Sequence, residues 1–293
     1  HKAIRRQRQM CIRDRSKTVY EMVTERIIEE LEKGSIPWER PWRGTRSGAY
    51  NFVTKRSYSL MNQMMLKHRG AYGTFKQWTE KGGKIRKGEK SEIVVFWKFQ
   101  IVEEENEKTG EKEEKKIPML RYYNVFHISQ VDGVELKEEE LPEVEPIESA
   151  EKIKRDYVER EHIKILEYTT NEAFYSPAGD FIQVPERNQY QDVNEFYSTL
   201  YHEMVHSTGH KNRLNRLEKD AHFGNGVYSR EELCAELGSA FLMNLLGLEN
   251  KKTFRNSAAY IQSWIQVFKN DPRFIVSAAG KAERAVKYIL NEE

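Results

Sequence analysis

The spacing of apolar residues in the first half of the chain predicts short helices and one long β-hairpin. Apolar side chains recur every three or four positions over residues 17–33, as on one helix face, and Gly34 suits the end of that helix. Two shorter helices are predicted over residues 59–68 and in GTFKQWTEKGG. The apolar runs EIVVFWKF and LRYYNVFHI are typical of two paired strands. Together these elements predict a small α+β domain over residues 16–140.

The second half is predicted to be mainly helical, with a short antiparallel sheet. IKILEY and the two halves of AFYSPAGDFIQVPE have the composition of strands, and the turn PAG would join the last two. Helical spacing then dominates from FYSTLYHEMVHST through SREELCAELGSAFLMNLLG to two C-terminal segments. We therefore predict an α+β protein of two domains, the second of which covers residues 151–293.

The charge distribution supports a boundary between these two domains. Residues 16–102 hold 17 Lys and Arg against 9 Asp and Glu, whereas residues 103–161 hold 10 against 19, which favours domains with different partners. Within the acidic part, residues 103–116 are predicted to be a solvated hairpin insert, and residues 141–150 a linker with two prolines. Residues 1–15, which include MCIRDR, are expected to be a tail or a translated sequencing adapter outside the fold.

Composition narrows the expected cellular setting. Cys11 and Cys234 are the two cysteines, so neither a disulfide framework nor a CxxC metal site is expected, and a reduced, cytoplasmic setting is favoured. The chain has no run of about 18 apolar residues. We therefore expect no segment that crosses a membrane.

Basic and aromatic residues alternate through the first domain and indicate a nucleic-acid-binding surface. Single strands are bound by cations that follow the phosphates and by exposed rings on which bases stack. A solvated basic surface without a partner is an equally good interpretation of the same residues. Trp38, Phe96, Phe99 and Phe126 are instead expected in the core. The candidate contacts to single-stranded DNA are Arg40, Trp42, Arg43, Arg46, Lys55, Arg56, Trp78, Lys84, Arg86, Lys87 and Lys90.

Residues 201–212, YHEMVHSTGHKN, have the arrangement of a zinc hydrolase site. His202 and His206 lie one helical turn apart, so both imidazoles can reach one Zn²⁺. Glu203, between them, can take a proton from a bound water. Two ordinary surface histidines on a helix are the weaker alternative, because the HExxH pattern fixes three positions. We therefore predict Glu203 as the catalytic residue beside one Zn²⁺, for which other divalent transition metals could substitute.

The third protein ligand has two candidate sources. His210 follows Gly209 but comes two positions too early for the spacing HExxHxxGxxH. Glu232 and Glu236 lie one turn apart on the next helix, a spacing found in thermolysin-like sites. We favour Glu232 as the ligand and Glu236 as an acid that supports a histidine, and the reverse assignment stays open.

Residues around this site indicate how a peptide could bind. Zincins place an edge strand beside the metal helix, and DFIQVP is the candidate edge strand. Tyr201, Tyr228 and His222 are candidate donors to an oxyanion, although ordinary packing or exposure is the more expected role for each. The basic loop HKNRLNR could face either a substrate or solvent.

A series of motifs along the chain resembles ArdC-type antirestriction proteins of conjugative plasmids and related mobile elements. The motifs are, in order, IPWERPW, GTFKQW, GGKIRKGEKS, YYNVFHISQ, YSPAGDFIQVP, YSTLYHEMVHSTGHKNRLNR, YSREELCAELGSAFL and AAYIQSWIQVFKND. TraC-type plasmid primases are similar in their N-terminal domain. The resemblance implies an N-terminal domain that binds single-stranded DNA, a zincin-like (gluzincin-type) metallopeptidase domain, and protection of incoming DNA from restriction. It also implies that His202 and His206 are ligands, that Glu203 is catalytic, and that Glu232 or Glu236 is the acidic ligand.

Two other functions stay open on the sequence alone. The chain could bind and occlude DNA while the zinc site only stabilises the fold. It could also be an accessory to replication or to a primase, although it contains no visible primase catalytic motif. The expected partners are single-stranded DNA and, if the metal site cleaves peptide bonds, a protein or peptide substrate.

Overall fold

In the computed structural model, short helices of the N-terminal region pack on a four-stranded sheet. The structure describes residues 17–38, 48–105, 112–136, 146–217, 226–248 and 258–292. The elements of the N-terminal region are α1 (Val19–Glu32), β1 (Ala49–Asn51), α2 (Leu60–Met65), β2 (Gly70–Gly73), α3 (Phe75–Glu80), β3 (Lys84–Ile85), β4 (Glu92–Glu105), β5 (Lys112–His127) and β6 (Val131–Asp132). The main sheet has the order β1-β2-β5-β4; β1 and β2 are parallel, and the other neighbours are antiparallel. Strands β3 and β6 form a separate antiparallel pair.

Helix α1 begins and ends at residues suited to those positions. Thr18 and Glu21 form a capping box at its N-terminus, and Gly34 follows its last turn with a φ of 76°. The buried residues of α1 are Val23, Thr24, Ile27, Ile28 and Leu31. The helix predicted from apolar spacing over residues 17–33 is therefore present, and its apolar face is the buried one.

The hairpin of β4 and β5 is longer than the sequence indicates. Its strands pair from Glu92 and Val125 out to Glu105 and Lys112. The hairpin predicted over residues 103–116 is confirmed, but the prediction that these residues form its loop is wrong at Glu103–Glu105 and from Lys112 onward, which are paired strand; residues 106–111 lie outside the described ranges. Charged residues are depleted in buried strands, but a hairpin that projects from the core is held by its backbone ladder and can carry them.

The four rings expected in the core differ in their burial. Trp38 is buried, and Phe96 and Phe126 are partly buried. The prediction for Phe99 is wrong, because its side chain is 61 % exposed. The ring of Tyr20 of α1 contacts the ring of Trp97, and Phe99 is two residues further along the same face of β4.

Helices dominate the C-terminal region, as the apolar spacing predicts. Its elements are α4 (Pro146–Glu161), β7 (Lys164–Tyr168), β8 (Phe174–Ser176), β9 (Phe181–Pro185), α5 (Val193–Thr208), α6 (Gly226–Leu245), α7 (Ala258–Asn270) and α8 (Phe274–Leu290). The three strands form a sheet in the order β7-β9-β8. This sheet is mixed rather than antiparallel, because β7 and β9 run parallel while β8 and β9 run antiparallel.

Strand β9 lies in the middle of that sheet, so the prediction that DFIQVP forms its edge is wrong. Ile182 and Val184 of β9 are fully buried, whereas Phe174 of β8 is partly exposed. The strand with two buried aliphatic side chains takes the central position, where neighbouring strands pair with both of its sides. Among the described strands, β8 is therefore the edge strand that contacts α5.

The N-terminal and C-terminal regions share one hydrophobic core. Ile27 of α1 and Met64 of α2 belong to the same buried cluster as Phe268 of α7 and Ile275 of α8. The Thr24 hydroxyl donates a hydrogen bond of 2.7 Å to the carbonyl of Pro272, just before α8. The two predicted domains are thus both present, but their apolar faces pack against each other.

Two predicted boundary segments lie partly or wholly outside the described residues. Residues 1–16 are outside them, and so are residues 137–145. Helix α4 already begins at Pro146, inside the predicted linker of residues 141–150. Within the described ranges, no helix has both the length and the apolar character needed to cross a bilayer.

Candidate metal centre and nucleic-acid interface

Helix α5 brings two imidazoles together. The Asp192 side chain accepts a hydrogen bond from the amide of Asn194 and caps the start of the helix. His202 and His206 lie one turn apart, and their Nε2 atoms are 3.1 Å apart. The helix ends at Thr208 with Gly209 as its C-terminal cap, which leaves His210 in the following turn. The HExxH spacing therefore produces the convergence that it predicts.

Glu232 of α6 completes a cluster of three candidate metal donors. Its Oε1 lies 3.3 Å from His206 Nε2, and its Oε2 lies 3.6 Å from His202 Nε2. One donor atom from each of the three residues lies within 4.8 Å of the other two. Two imidazole nitrogens and one carboxylate oxygen are a donor set that catalytic zinc sites use. These residues therefore fit a divalent cation, and His210 and Glu236 lie outside the cluster.

The electrostatics of the cluster favour a positive charge at its centre. Burial lowers the pKa of His206, but hydrogen bonds to Glu231 and Glu232 outweigh that effect and raise the pKa to about 10. Burial raises the pKa of Glu232, yet hydrogen bonds to the two histidines hold that pKa far below its ordinary range. Buried carboxylates of this kind are stabilised by protons on the imidazoles or, equally, by a cation bound between the donors.

Glu203 lies beside the donor cluster and is only 7 % exposed. Its negative charge contributes to the raised pKa of His206. Burial raises the pKa of the Tyr190 hydroxyl, and the charge of Glu203 adds to that rise. Glu203 is therefore within electrostatic range of a cluster histidine and of a tyrosine from the segment that precedes α5.

Glu231, which is not among the residues predicted from the sequence, is the acid that supports His206. Its Oε1 lies 3.2 Å from His206 Nδ1, on the opposite side of the ring from Glu232. Arg216 binds both carboxylate oxygens of Glu231, each at 2.8 Å. Glu236 accepts a hydrogen bond from the Tyr260 hydroxyl, and the expectation that it supports a histidine stays a prediction. The signals in the sequence that could have indicated Glu231 are the adjacent acids in SREEL and the last arginine of HKNRLNR, Arg216.

The candidate oxyanion donors have other positions. Tyr201 is fully buried and donates to the carbonyl of Ala150 at 3.2 Å, so it is a core residue. The Tyr228 side chain and His222 lie outside the described residues. Arg213 and Arg216, from the basic loop after α5, have side chains that are almost fully buried in ion pairs with Asp180 and Glu231. That loop is therefore tied to the fold, and at these two arginines it does not face solvent.

The predicted DNA contacts are only partly retained on the surface. Trp78 is fully buried, its ring stacks on Phe52 at 4.0 Å, and its Nε1 donates to the carbonyl of Phe126. The assignment of Trp78 to base stacking is therefore wrong, because a ring enclosed by core residues has no free face. Arg40, Trp42, Arg43 and Arg46 lie outside the described residues.

The remaining predicted cations are exposed. Arg86 is ion-paired with Glu89 and Asp132, at 2.9 and 3.3 Å, which offsets its charge. The other exposed members of the predicted set are Lys55, Arg56, Lys84, Lys87 and Lys90. These lysines and Arg56 leave a basic surface on the N-terminal region.

Comparison with known proteins identifies both regions. A family model for the N-terminal domain of the anti-restriction factor ArdC matches residues 17–126, and one for a zincin-like metallopeptidase matches residues 152–281. The metal-free crystal structure of the antirestriction ArdC protein from plasmid R388 is 34 % identical, with a TM-score of 0.71, over 94 % of this chain and 99 % of that one. The Mn(II)-bound structure of that protein is 32 % identical, with a TM-score of 0.73, over 94 % and 98 %. The chain belongs to the ArdC family.

Relatives of this ArdC-family chain include longer proteins. The uncharacterized protein y4eC of Sinorhizobium fredii is 32 % identical over 92 % of this chain and 91 % of its own length. Two Escherichia coli proteins named DNA primase TraC are 33 % and 32 % identical over 94 % of this chain. The chain spans only 27 % and 20 % of the length of those two proteins. The ArdC-like segment is therefore a small part of each primase.

Each of the two matched ArdC-family domains contains one of the two candidate sites. His202, His206 and Glu232 lie in the segment that the zincin-like metallopeptidase model matches. The exposed cations from Lys55 to Lys90 lie in the segment that the ArdC N-terminal model matches. The chain is therefore an antirestriction-family protein in which a basic region is joined to a region with a divalent-metal site.

Proposed function

We propose that this protein protects the incoming DNA of a mobile element from restriction in the host cytoplasm. It binds that DNA as single strands through the N-terminal region and carries a metallopeptidase-type site in the C-terminal region. The observation that carries the proposal is the convergence of His202, His206 and Glu232 beside Glu203, in a chain of the ArdC family.

The metal proposed for the site is one Zn²⁺ per chain. Two imidazoles and a carboxylate suit zinc, and nitrogen and oxygen donors also accept other divalent transition metals. The Mn(II)-bound structure of the R388 ArdC protein supports the wider range. His202, His206 and Glu232 would hold the ion through the three donor atoms that already face one another.

The residues around the donors suit peptide hydrolysis. A bound divalent ion would supply Lewis acidity to a substrate carbonyl and lower the pKa of a bound water. The Glu203 carboxylate would accept the proton from the attacking water and deliver it to the leaving amine. Its low exposure favours this role, because a buried carboxylate next to a substrate exchanges protons with the reactants rather than with bulk solvent.

Glu203→Gln tests the peptidase part of the proposal. The variant should retain the metal, measured by elemental analysis, and lose hydrolysis of a mixed-protein digest by more than a hundredfold. Glu195→Gln, in the first turn of the same helix, is the matched control and should keep both. Hydrolysis that persists in Glu203→Gln would rule out Glu203 as the catalytic residue. DNA protection that is unchanged in Glu203→Gln would show that proteolysis is not the protective mechanism.

The burial of the site favours a second function, in which the metal only stabilises the fold. His202 and Glu203 are both less than a tenth exposed, and α5 packs against α6 and α8 in the shared core. In that case the wild-type protein binds single-stranded DNA but cleaves no protein, with or without added Zn²⁺. Chelation would then lower the melting temperature while the affinity for single-stranded DNA, measured well below the melting temperature, stays the same.

A further inference from the structure

Four of the seven exposed aromatic rings of the described residues lie on the β4–β5 hairpin, and Phe75, at the start of α3, is the other exposed ring of the N-terminal region. Base stacking requires a ring with a free face, and Trp78 has none. The hairpin carries four of the exposed rings of the described chain, namely Trp97, Phe99, Tyr122 and Tyr123.

The strand register separates the two faces of the hairpin. Residues that pair across an antiparallel ladder point to the same side, and side chains alternate along each strand. Lys98 pairs with Met119, Phe96 with Arg121, and Val94 with Tyr123. Phe96, Lys98, Arg121 and Tyr123 therefore share one face, which we call the Tyr123 face. Trp97, Phe99 and Tyr122 lie on the opposite face.

The Tyr123 face carries a flat and accessible pair of rings. Phe96 and Tyr123 stack with 4.6 Å between their centroids and 6° between their planes. Tyr123 is 56 % exposed, so the outer side of this pair is open to solvent. A preformed stack of two rings can accept a nucleobase as a further layer without a rearrangement of the backbone.

Positive charge flanks this pair on the same face. Lys98 and Arg121 are both exposed. From the pair Val94–Tyr123 to the pair Gln100–Ile117 this face carries no acidic residue, and Glu92, the next residue of the face along β4, is buried and ion-paired with Arg26. The opposite face from Val95 to Phe99 has rings but no cation. Phosphates that flank a base on Tyr123 would therefore have two cations close by, whereas the first cation of the opposite face along this ladder is Lys116, which pairs with Ile101 beyond Phe99.

We propose that the Tyr123 face of the β4–β5 hairpin is a base-stacking platform for single-stranded DNA. A base stacks on the Tyr123–Phe96 pair, and the adjacent phosphates contact Arg121 and Lys98. The platform rests on the proposed function, since it assigns the place at which that function contacts DNA. A duplex does not fit this platform, because its bases are already stacked and paired and present no free face.

The test is fluorescence anisotropy of a labelled oligothymidylate of about 20 nucleotides with the full-length protein, at several salt concentrations. Tyr123→Ala should weaken binding by at least about fivefold, and Tyr123→Phe should bind like the wild type because it keeps the ring. The double variant Lys98→Gln, Arg121→Gln should reduce the slope of log K against log salt by about 1.4, as expected for two lost phosphate contacts. Phe99→Ala, on the opposite face of the same hairpin, is the matched control and should leave binding unchanged.

Each other outcome overturns a defined part of the proposal. If the wild type binds with a steep salt dependence but neither Tyr123→Ala nor the double variant weakens it, the platform is wrong and the DNA-binding function stands. If Phe99→Ala weakens binding as much as Tyr123→Ala, the assignment to one face is wrong. Tighter binding to duplex than to single strands overturns base stacking. If the wild type binds no single-stranded DNA, the proposed DNA-binding function and the platform fail together, while the metal site remains to be judged by Glu203→Gln.

Discussion

At the level of single residues, Glu231 links the end of α5 to the metal donors. Arg216 binds both oxygens of Glu231 and also donates to Thr208 Oγ1 at 2.8 Å, near the last turn of α5. The contact of Glu231 with His206 Nδ1 keeps a proton on Nδ1, so that Nε2 is the ring nitrogen available to a cation bound between His202 and Glu232. Glu231 is thus a positioning residue that acts through His206.

We expect Glu231→Gln to weaken divalent-metal binding about 10- to 100-fold, the usual effect of a lost outer partner of a ligand histidine. The amide keeps the shape of the side chain but loses the charge that holds Arg216 and His206. Competition with a chromogenic chelator for Zn²⁺ measures the affinity. Glu195→Gln is the matched control, because it also replaces one carboxylate by an amide but lies in the first turn of α5, away from the metal donors. Equal Zn²⁺ affinity in Glu231→Gln and the wild type would contradict this role.

At the level of elements, the positions of the helices along the chain can be predicted from local sequence, whereas the elements against which they pack cannot. Helices α1 and α5 are predicted because apolar period, caps and terminating glycines lie within a few residues of one another. The central position of β9 depends on which strand is most buried once α5 is in place, and this is a non-local property. The wrong prediction for Trp78 has the same reason, because an alternation of basic and aromatic residues does not specify which ring the core encloses.

The candidate metal site also contains residues that local spacing predicts and residues that only packing determines. His202, Glu203 and His206 follow from one helical turn, and Glu232 follows from a spacing on the next helix. The choice of Glu231 over Glu236 as the support of His206 depends on the rotation of α6 about its axis and on where the following loop places Arg216. Neither of these is encoded in the local pattern of SREELCAEL.

The first backbone amide of helix α2 donates its hydrogen bond to a side chain of another helix. Its N-cap residue Ser59 makes no capping hydrogen bond with its side chain, and the amide of Leu60 donates instead to Glu283 of α8, at 3.3 Å. Burial raises the pKa of the Glu283 carboxyl above its ordinary value of 4.5. The folded protein therefore binds a proton more tightly at this position than the unfolded chain does.

The sign of this shift predicts a pH dependence of stability. Because the folded pKa of Glu283 is the higher one, its contribution to the free energy of unfolding is largest below about pH 4.5 and declines as pH rises through the folded pKa. Glu283→Gln keeps an acceptor for Leu60 and removes the titration. Urea unfolding from pH 4 to 7 should show the variant gaining stability relative to the wild type as pH rises. Parallel curves for the two proteins would contradict the assignment.

At the level of the whole molecule, the two regions are expected to unfold together. Phe268 of α7 is fully buried and contacts Trp38 of the N-terminal region edge to face, with 6.5 Å between ring centroids. It also stacks on Trp264 within the C-terminal region. Helix α8 contacts α2 and α1 on one side and α5 and α6 on the other. Loss of packing at this junction should therefore affect the DNA-binding region and the metal site alike.

Phe268→Ala tests this coupling through amide hydrogen exchange. The substitution should lower the global free energy of unfolding by about 3–5 kcal/mol, the usual cost of removing a buried phenyl ring. The slowest amides of β5, in the N-terminal region, and of α5, beside the metal donors, should lose the same protection because both exchange through one global opening. Tyr168→Ala removes an exposed ring from the C-terminal region and should change neither set. If only the α5 amides lose protection in Phe268→Ala, the two regions unfold separately. In that case, removal of the metal would be able to unfold the C-terminal region while the N-terminal region still binds DNA.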